Sequence, residues 1–279
     1  MQQEKNIIIP GKHGKPVVAD LFYNAEIKNQ PIVIFAHGFK GFKDWGPYDI
    51  IAKEFVEAGF CFIKFNFSHN GTTLDAPDAF ADLEAFGQNN FTKELDDFDI
   101  IINYVQNDKR SGDVFDISSI YLAGHSRGGG VAILKAAEDK RVKKLSSWGS
   151  PIEFSKYIAP AQVEIWKKMG VIYVENARTK QQMPLYYQLA EDVLNNHERL
   201  NIKKAVQYLS IPFLIVHGTK DETVAYADAL VMHSWNTNAS LLPVVNANHS
   251  FGAEHPYHKN ELPNDYLTVV HETIRFFKQ

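Results

Sequence analysis

Short apolar runs alternate with amphipathic stretches along this chain. Runs at residues 31–36, 61–67, 117–123, 142–148, 211–217 and 241–245 each read as a buried strand. Near-continuous apolar character, rather than strict alternation, marks parallel strands covered on both faces. The intervening stretches carry the helical period. Residues 48–58 put Ile51, Phe55 and Val56 on one face and stop at Gly59. Residues 92–107 do the same with Leu95, Phe98, Ile102 and Val105. Further helices are predicted over 131–137, 223–235 and 265–277. Near the start, 6–9 and 16–23 read as a hairpin at one sheet edge, turned by residues 11–14. Strands alternating with helices imply an α/β fold with a mainly parallel sheet.

Two segments break the alternation. Residues 67–88 read as a long loop, a length that usually has a job. Residues 150–209 contain no buried strand signal and are read as helical, with the aromatics Phe154, Tyr157, Trp166, Tyr173, Tyr186 and Tyr187. This segment is expected to form a cap lining an apolar pocket, with only two or three aromatics, Trp166 and Tyr173 among them, facing ligand.

The candidate chemistry begins at Gly124-His125-Ser126-Arg127-Gly128, between the strand at 117–123 and the helix at 131–137. A G-x-S-x-G turn from strand to helix exposes its serine at the sheet edge, beneath a helix N-terminus. Glycines two residues either side leave room where a side chain would meet neighbouring backbone. A serine nucleophile needs a base, a group orienting that base, and donors for the oxyanion. Each is sought at the C-terminal end of a strand. After 31–36 comes His37-Gly38-Phe39, and the Phe39 amide is expected to act with the Arg127 amide as oxyanion donor. The Arg127 side chain is expected to pair with a carboxylate, one of the protein's own being a candidate. After 211–217 comes Asp221, the expected orienting acid, with Glu222 and Asp228 as competitors and a helix cap as its bland alternative. After 241–245 comes His249, the expected base, with His255 and His258 as competitors. His37, His125 and His217 lie in the motif loops and are expected to pack or hydrogen-bond. His37 and His125 are also carried as substrate contacts.

The order Ser126, Asp221, His249 is that of the α/β-hydrolases. With "HGF" at 37–39, "GHSRGG" at 124–129, "HGTKDETV" at 217–224 and "NHSFG" at 248–252, nearly the whole chain resembles a serine hydrolase of that superfamily. It is most similar to small bacterial carboxylesterases of the cinnamoyl/feruloyl type and to stand-alone prolyl-oligopeptidase-like hydrolases. The resemblance implies one α/β-hydrolase domain over 1–279: a mainly parallel eight-stranded sheet, helices on both faces and a cap insertion at about 150–209. It also implies that the segment after the strand at 61–67 borders the site, where His69 is carried as a substrate contact, with a solvent-facing loop histidine as its bland alternative. The implied activity is cleavage of carboxylic esters of small or aromatic acyl groups through an acyl-enzyme, without a cofactor. Alternatives are an aminopeptidase or amidase of the same fold, and a ligand receptor built on the scaffold.

Composition narrows this further. The chain has 279 residues, 45% of them apolar, enough for one large core. Its net charge of −4 is mixed along the chain and suggests no nucleic-acid surface. The lone Cys61 sits in an apolar run, which points to packing rather than reactivity. No metal-ligand spacing is present, because His255-Pro256 breaks any helix that would align His249, His255 and His258. No leader or membrane-spanning stretch is read, so the expected setting is cytoplasmic, with a small-molecule ester as partner and room for a homodimer.

Overall fold

Apolar strands of this kind need cover on both faces, and both are covered. The structure is a computed structural model. It describes every residue except Ala159, and every side chain except those of Tyr157, Ala159, Pro160 and Ala161. Eight strands form the main sheet: β1 (Gln2–Ile9), β2 (Val17–Tyr23), β3 (Gln30–Ala36), β4 (Cys61–Asn66), β5 (Phe115–His125), β6 (Val142–Trp148), β9 (Phe213–Gly218) and β10 (Ser240–Val244). Their order is β1-β2-β4-β3-β5-β6-β9-β10. β2 runs antiparallel to both β1 and β4, and every other neighbouring pair is parallel.

Side chains alternate across the sheet. Ile32 and Ile34 of β3 join the core under α3 (Phe91–Asn107) and α4 (Arg127–Glu138). Val33 and Phe35 join the opposite core with α1 (Tyr48–Glu57) and α9 (Asn264–Lys278). The second face is aromatic: Phe35 lies 4.8 Å from Tyr48 and 5.2 Å from Trp148 between ring centres. Cys61 is buried in β4, and burial pushes its thiol well above the usual range. No helix among the described residues is long and apolar enough to cross a membrane.

The expected cap differs from its reading. Residues 150–209 hold a 3-10 turn at Ser155–Tyr157, α5 (Pro160–Met169), α6 (Gln188–Asn195) and α7 (Ile202–Tyr208). They also hold an antiparallel ribbon of β7 (Val171–Glu175) and β8 (Gln182–Tyr186). Met183, Pro184 and Leu185 of β8 are buried, so a buried strand exists where none was expected. Its five residues are too few to show a period, and the chain reverses at Lys180, a non-glycine residue at φ 59°. The expected long loop likewise contains a short helix, α2 (Leu83–Gly87), on which the ribbon packs. A Cβ on Gly87 would meet the Tyr186 ring at 2.9 Å.

The loop after β3 is anchored by buried ions. Lys43 and Lys64 lie with their ammonium groups 2.9 Å from the carboxylate of Asp20, and all three side chains are fully or almost fully buried. Lys64 also donates to the Lys43 carbonyl at 2.8 Å, and the Lys43 amide donates to Asn66 at 2.6 Å. Asp20, Asp44 and Asp49 are the one carboxylate cluster of metal-binding geometry among the described residues, and three ammonium groups, those of Lys43, Lys64 and Lys5, pair with it. Burial alone would raise the Asp44 carboxyl, but the two ammonium groups hold it far below its usual range. Losing one member of such a network leaves a buried charge uncompensated, at a cost of about 3–5 kcal/mol.

α4 crosses β3 at close range. A Cβ on Gly128 would lie 2.3 Å from the His37 carbonyl oxygen and 2.6 Å from that of Ala36. These backbone atoms cannot step aside. Gly128→Ala is therefore expected to lose at least about 2 kcal/mol in urea unfolding. Gly14→Ala, at φ 78° with nothing within 4 Å, should lose only about 1–2 kcal/mol from backbone strain.

Candidate active site

Ser126 sits between β5 and α4 at φ 54°, ψ −125°. A non-glycine residue there stores about 1–3 kcal/mol of strain, which the surroundings must hold. They do so through hydrogen bonds and close packing. The Ser126 amide donates to Trp148 at 2.8 Å, and its carbonyl accepts from Gly129 at 3.0 Å and Gly130 at 3.2 Å. Glycines admit the turn: a Cβ on Gly124 would meet the Gly128 carbonyl oxygen at 2.6 Å, and one on Gly38 would lie 3.0 Å from the Ser126 Cβ.

Asp221 follows β9 with its side chain fully buried. Its Oδ2 accepts from His249 Nδ1 at 2.7 Å. Its Oδ1 accepts the amides of Thr223 at 2.9 Å and Val224 at 2.8 Å. The carboxylate thus closes a turn ahead of α8 (Tyr226–Trp235), whose N-cap is Ala225, so Asp221 orients the imidazole without capping that helix. Burial works against ionisation here. Hydrogen bonds from His217, His249 and the Val224 amide overcome it and hold the carboxyl well below the usual range. Gly149, at φ 57°, leaves room for the pair: a Cβ there would stand 3.3 Å from Asp221 Oδ2 and 3.5 Å from His249.

Ser126 and His249 line the same cavity of about 140 Å³, with Gly38, Phe39, Lys40, Trp45, Tyr48, His125 and Ser250 among its walls. Among the described hydrogen bonds none joins the Ser126 hydroxyl to the imidazole. Bonds of this kind often tighten only when substrate binds. Phe39 lies on the cavity wall and Arg127 is the first residue of α4. The Arg127 guanidinium is buried, reaches Glu94 at 3.0 and 2.9 Å, and stacks 4.1 Å from the Phe91 ring centre and 5.5 Å from that of Phe39. The carboxylate expected for it is therefore Glu94, whose own carboxyl is raised by burial against the pull of Arg127.

The competitors are placed elsewhere. His255 accepts the Gly46 amide at 3.0 Å and packs on Phe42. Asp228 binds Lys156, and Glu222 accepts the His249 amide at 3.4 Å. Four residues carried as substrate contacts do not line the cavity. His69 pairs with Ser68 at 2.8 Å in the loop after β4, its pKa pushed down to about 4 by burial and nearby Lys93. Trp166 is buried within the cap, donating to the Leu185 carbonyl at 2.9 Å, and Tyr173 stands exposed on β7. His37 is buried beside the site and bonds the Gly38 carbonyl at 2.9 Å, with its pKa pushed down to about 4 by burial. Nor does any described residue of 150–209 line the cavity, so the cap does not wall it as expected. The Tyr157 side chain lies outside the described residues.

Two further residues shape the site. His125 Nε2 donates to the His249 carbonyl at 2.8 Å, fixing the loop that carries the imidazole. His217 Nε2 lies 2.8 Å from the Val224 carbonyl and 3.3 Å from Asp221 Oδ2. Its place four residues before Asp221 was a signal in plain view that sequence reasoning did not use.

Residues 19–235 match the family model BD-FAE, most of the chain. The chain belongs to the BD-FAE family. A search of curated proteins finds no sequence match. Among solved structures, this BD-FAE chain is similar to Est1E from Butyrivibrio proteoclasticus, at 19% identity over 99% of this chain and 98% of that one, with a TM-score of 0.69. Est1E has also been solved with ferulic acid bound. This chain is also similar to the α/β hydrolase GrgF from Penicillium sp. sh18, at 18% identity over 100% of this chain and 98% of that one, with a TM-score of 0.71. A Mycobacterium tuberculosis puromycin-hydrolyzing peptidase aligns at 14% identity over 100% of this chain and 39% of its own, with a TM-score of 0.67. Likenesses at this level give the fold, and it is the α/β-hydrolase fold.

His125 titrates far below its ordinary value, pushed down to about 3 by burial and by neighbouring His249. A depressed histidine binds its proton in the unfolded chain first. Its contribution to stability is present above about pH 6.5 and is lost as pH falls toward the folded value. The loss of stability between pH 7 and 4 should therefore be shallower in His125→Asn than in wild type, measured by urea unfolding across that range.

Proposed function

We propose that this chain is a serine hydrolase that cleaves carboxylic esters through an acyl-enzyme on Ser126. One observation carries the reading: the 2.7 Å bond from His249 to buried Asp221, at a cavity that also exposes Ser126 in its strained turn. Family membership and the ferulic-acid complex of Est1E support an ester substrate.

His249 takes the Ser126 proton as the hydroxyl attacks the acyl carbon. Asp221 holds the tautomer with its proton on Nδ1 and stabilises the imidazolium that forms. The oxyanion is received by the Phe39 and Arg127 amides, with the α4 N-terminus behind them. His249 then protonates the departing alcohol. Water, deprotonated by the same imidazole, releases the acid and restores the serine. A peptidase of the amino-terminus-binding kind would need acidic side chains facing the substrate, whereas no described residue lining the cavity is acidic.

Ser126→Ala and His249→Ala should each lower turnover of p-nitrophenyl acetate and butyrate by at least about 10⁴-fold. Asp221→Asn should cost about 10⁴-fold through the wrong tautomer. His255→Ala should keep most of the activity. A fluorophosphonate should label Ser126. Equal rates in wild type and Ser126→Ala, or labelling at another residue, would defeat the assignment.

A further inference from the structure

We infer that the Arg127 side chain is a positioning residue for the oxyanion: locked on Glu94, it fixes the Phe39 amide relative to its own. The inference rests on the serine-hydrolase reading of Ser126 and adds the device that sets its two donors.

Two donors from different elements must converge on one oxygen. The Arg127 amide opens α4, whereas the Phe39 amide lies in the loop after β3. Hydrogen bonds hold one edge of the peptide unit before Phe39. The Gly38 carbonyl accepts the Gly41 amide at 3.0 Å and His37 Nδ1 at 2.9 Å. In a trans peptide the Phe39 N–H points the opposite way. Its tilt then depends on how the Phe39 side chain is held. The Arg127 guanidinium stands 5.5 Å from the Phe39 ring centre, and the Phe86 ring flanks it at 5.7 Å. One residue thus supplies the first donor and bears on the second.

The guanidinium is itself fixed. Nε donates to Glu94 Oε2 at 3.0 Å, and Nη2 stands 2.9 Å from Oε1, a two-point grip that sets the plane of the group. The Phe91 ring centre lies 4.1 Å from it, and Phe154 stacks on Phe91 at 3.8 Å. Glu94 is held in turn. Asn89 donates to it at 2.7 Å, and Gln188 of α6 donates to the Asn89 carbonyl at 2.8 Å. Asp192 of the same helix accepts the Thr92 amide at 3.0 Å, at the start of α3. The 150–209 insertion, which does not wall the cavity, therefore bears on it through α3, Glu94 and Arg127.

Stability does not account for the pair. Both side chains are almost fully buried, and apolar residues of like volume often stabilise such a place as well or better. A paired guanidinium supplies what they do not, a fixed plane. Nor does the guanidinium meet substrate: it is buried against Glu94 and forms no part of the described cavity wall. It acts through Phe39.

The test compares wild type with Glu94→Gln, Arg127→Lys and the double variant Arg127→Met, Glu94→Leu, which removes both charges and strands neither. A fluorophosphonate counts competent serines. Rates of p-nitrophenyl acetate turnover are read per counted site, so the fraction folded does not enter. Acylation and deacylation both pass through an oxyanion, so kcat should fall while KM moves by less than about twofold. The double variant and Arg127→Lys should each lose about tenfold or more in kcat, short of the ~10²–10³ that a donor lost outright costs. Glu94→Gln, which keeps the shape and one acceptor, should lose at least about threefold. A trifluoromethyl ketone, to which Ser126 adds to give the same oxyanion, should bind more weakly by the factor by which kcat/KM falls. The acid limb of the pH profile, set by His249, should stay in place.

An unchanged kcat per site in the double variant, or in Glu94→Gln where the double variant does not fold, would overturn the inference. So would an unmoved inhibitor constant. A rise in KM alone would overturn it by placing Arg127 in substrate binding, and a shifted acid limb by placing it in the support of His249. Labelling away from Ser126, or turnover that survives Ser126→Ala, removes the serine-hydrolase reading itself. Labelling at Ser126 with none of these changes in the variants removes only the role given to Arg127.

Discussion

One backbone conformation governs the site. Ser126 is held at positive φ because α4 crosses β3 and β5 at distances only glycine allows. The strain is sustained by two amides, Gly129 and Gly130, bonded back to the Ser126 carbonyl, and by the bond from Ser126 to β6. The same closeness brings the HGF loop against the serine. The proposed nucleophile and the segment proposed to receive the oxyanion are therefore set by a single packing event.

The other half of the site is built by hydrogen bonds into the buried ends of strands. Asp221 is ionised despite burial because two imidazoles and two amides face it. His125, in the turn that carries Ser126, donates to the carbonyl of His249, in the loop after β10. Elements far apart in sequence are thus tied by the histidines that flank the reacting groups. Preorganisation of this kind places the cost of ordering in the fold rather than in the reaction.

Much of this was legible in the chain, and for definite reasons. Buried parallel strands leave uninterrupted apolar runs, and residues 142–148 matched their strand to the residue. The G-x-S-x-G turn and the order of Ser126, Asp221 and His249 are local signatures of a geometry that tolerates few substitutes. The β7–β8 ribbon was not legible. Five-residue strands carry little period, and the aromatics around them read equally well as helix. Trp166 and Tyr173 were misplaced because composition says that a segment is aromatic, not which way it faces. The ion network of Asp20, Lys43 and Lys64 escaped because it joins residues from three elements, and charges look solvated until the strands are paired.

The far edge of the sheet has a bearing on assembly. β10 has five residues, and the fourth, Pro243, has no N–H to offer a neighbour. Exposed edges invite other chains, and short, proline-interrupted ones discourage them. Copies of this protein that associate would thus do so through side chains rather than by continuing one another's strands at that margin.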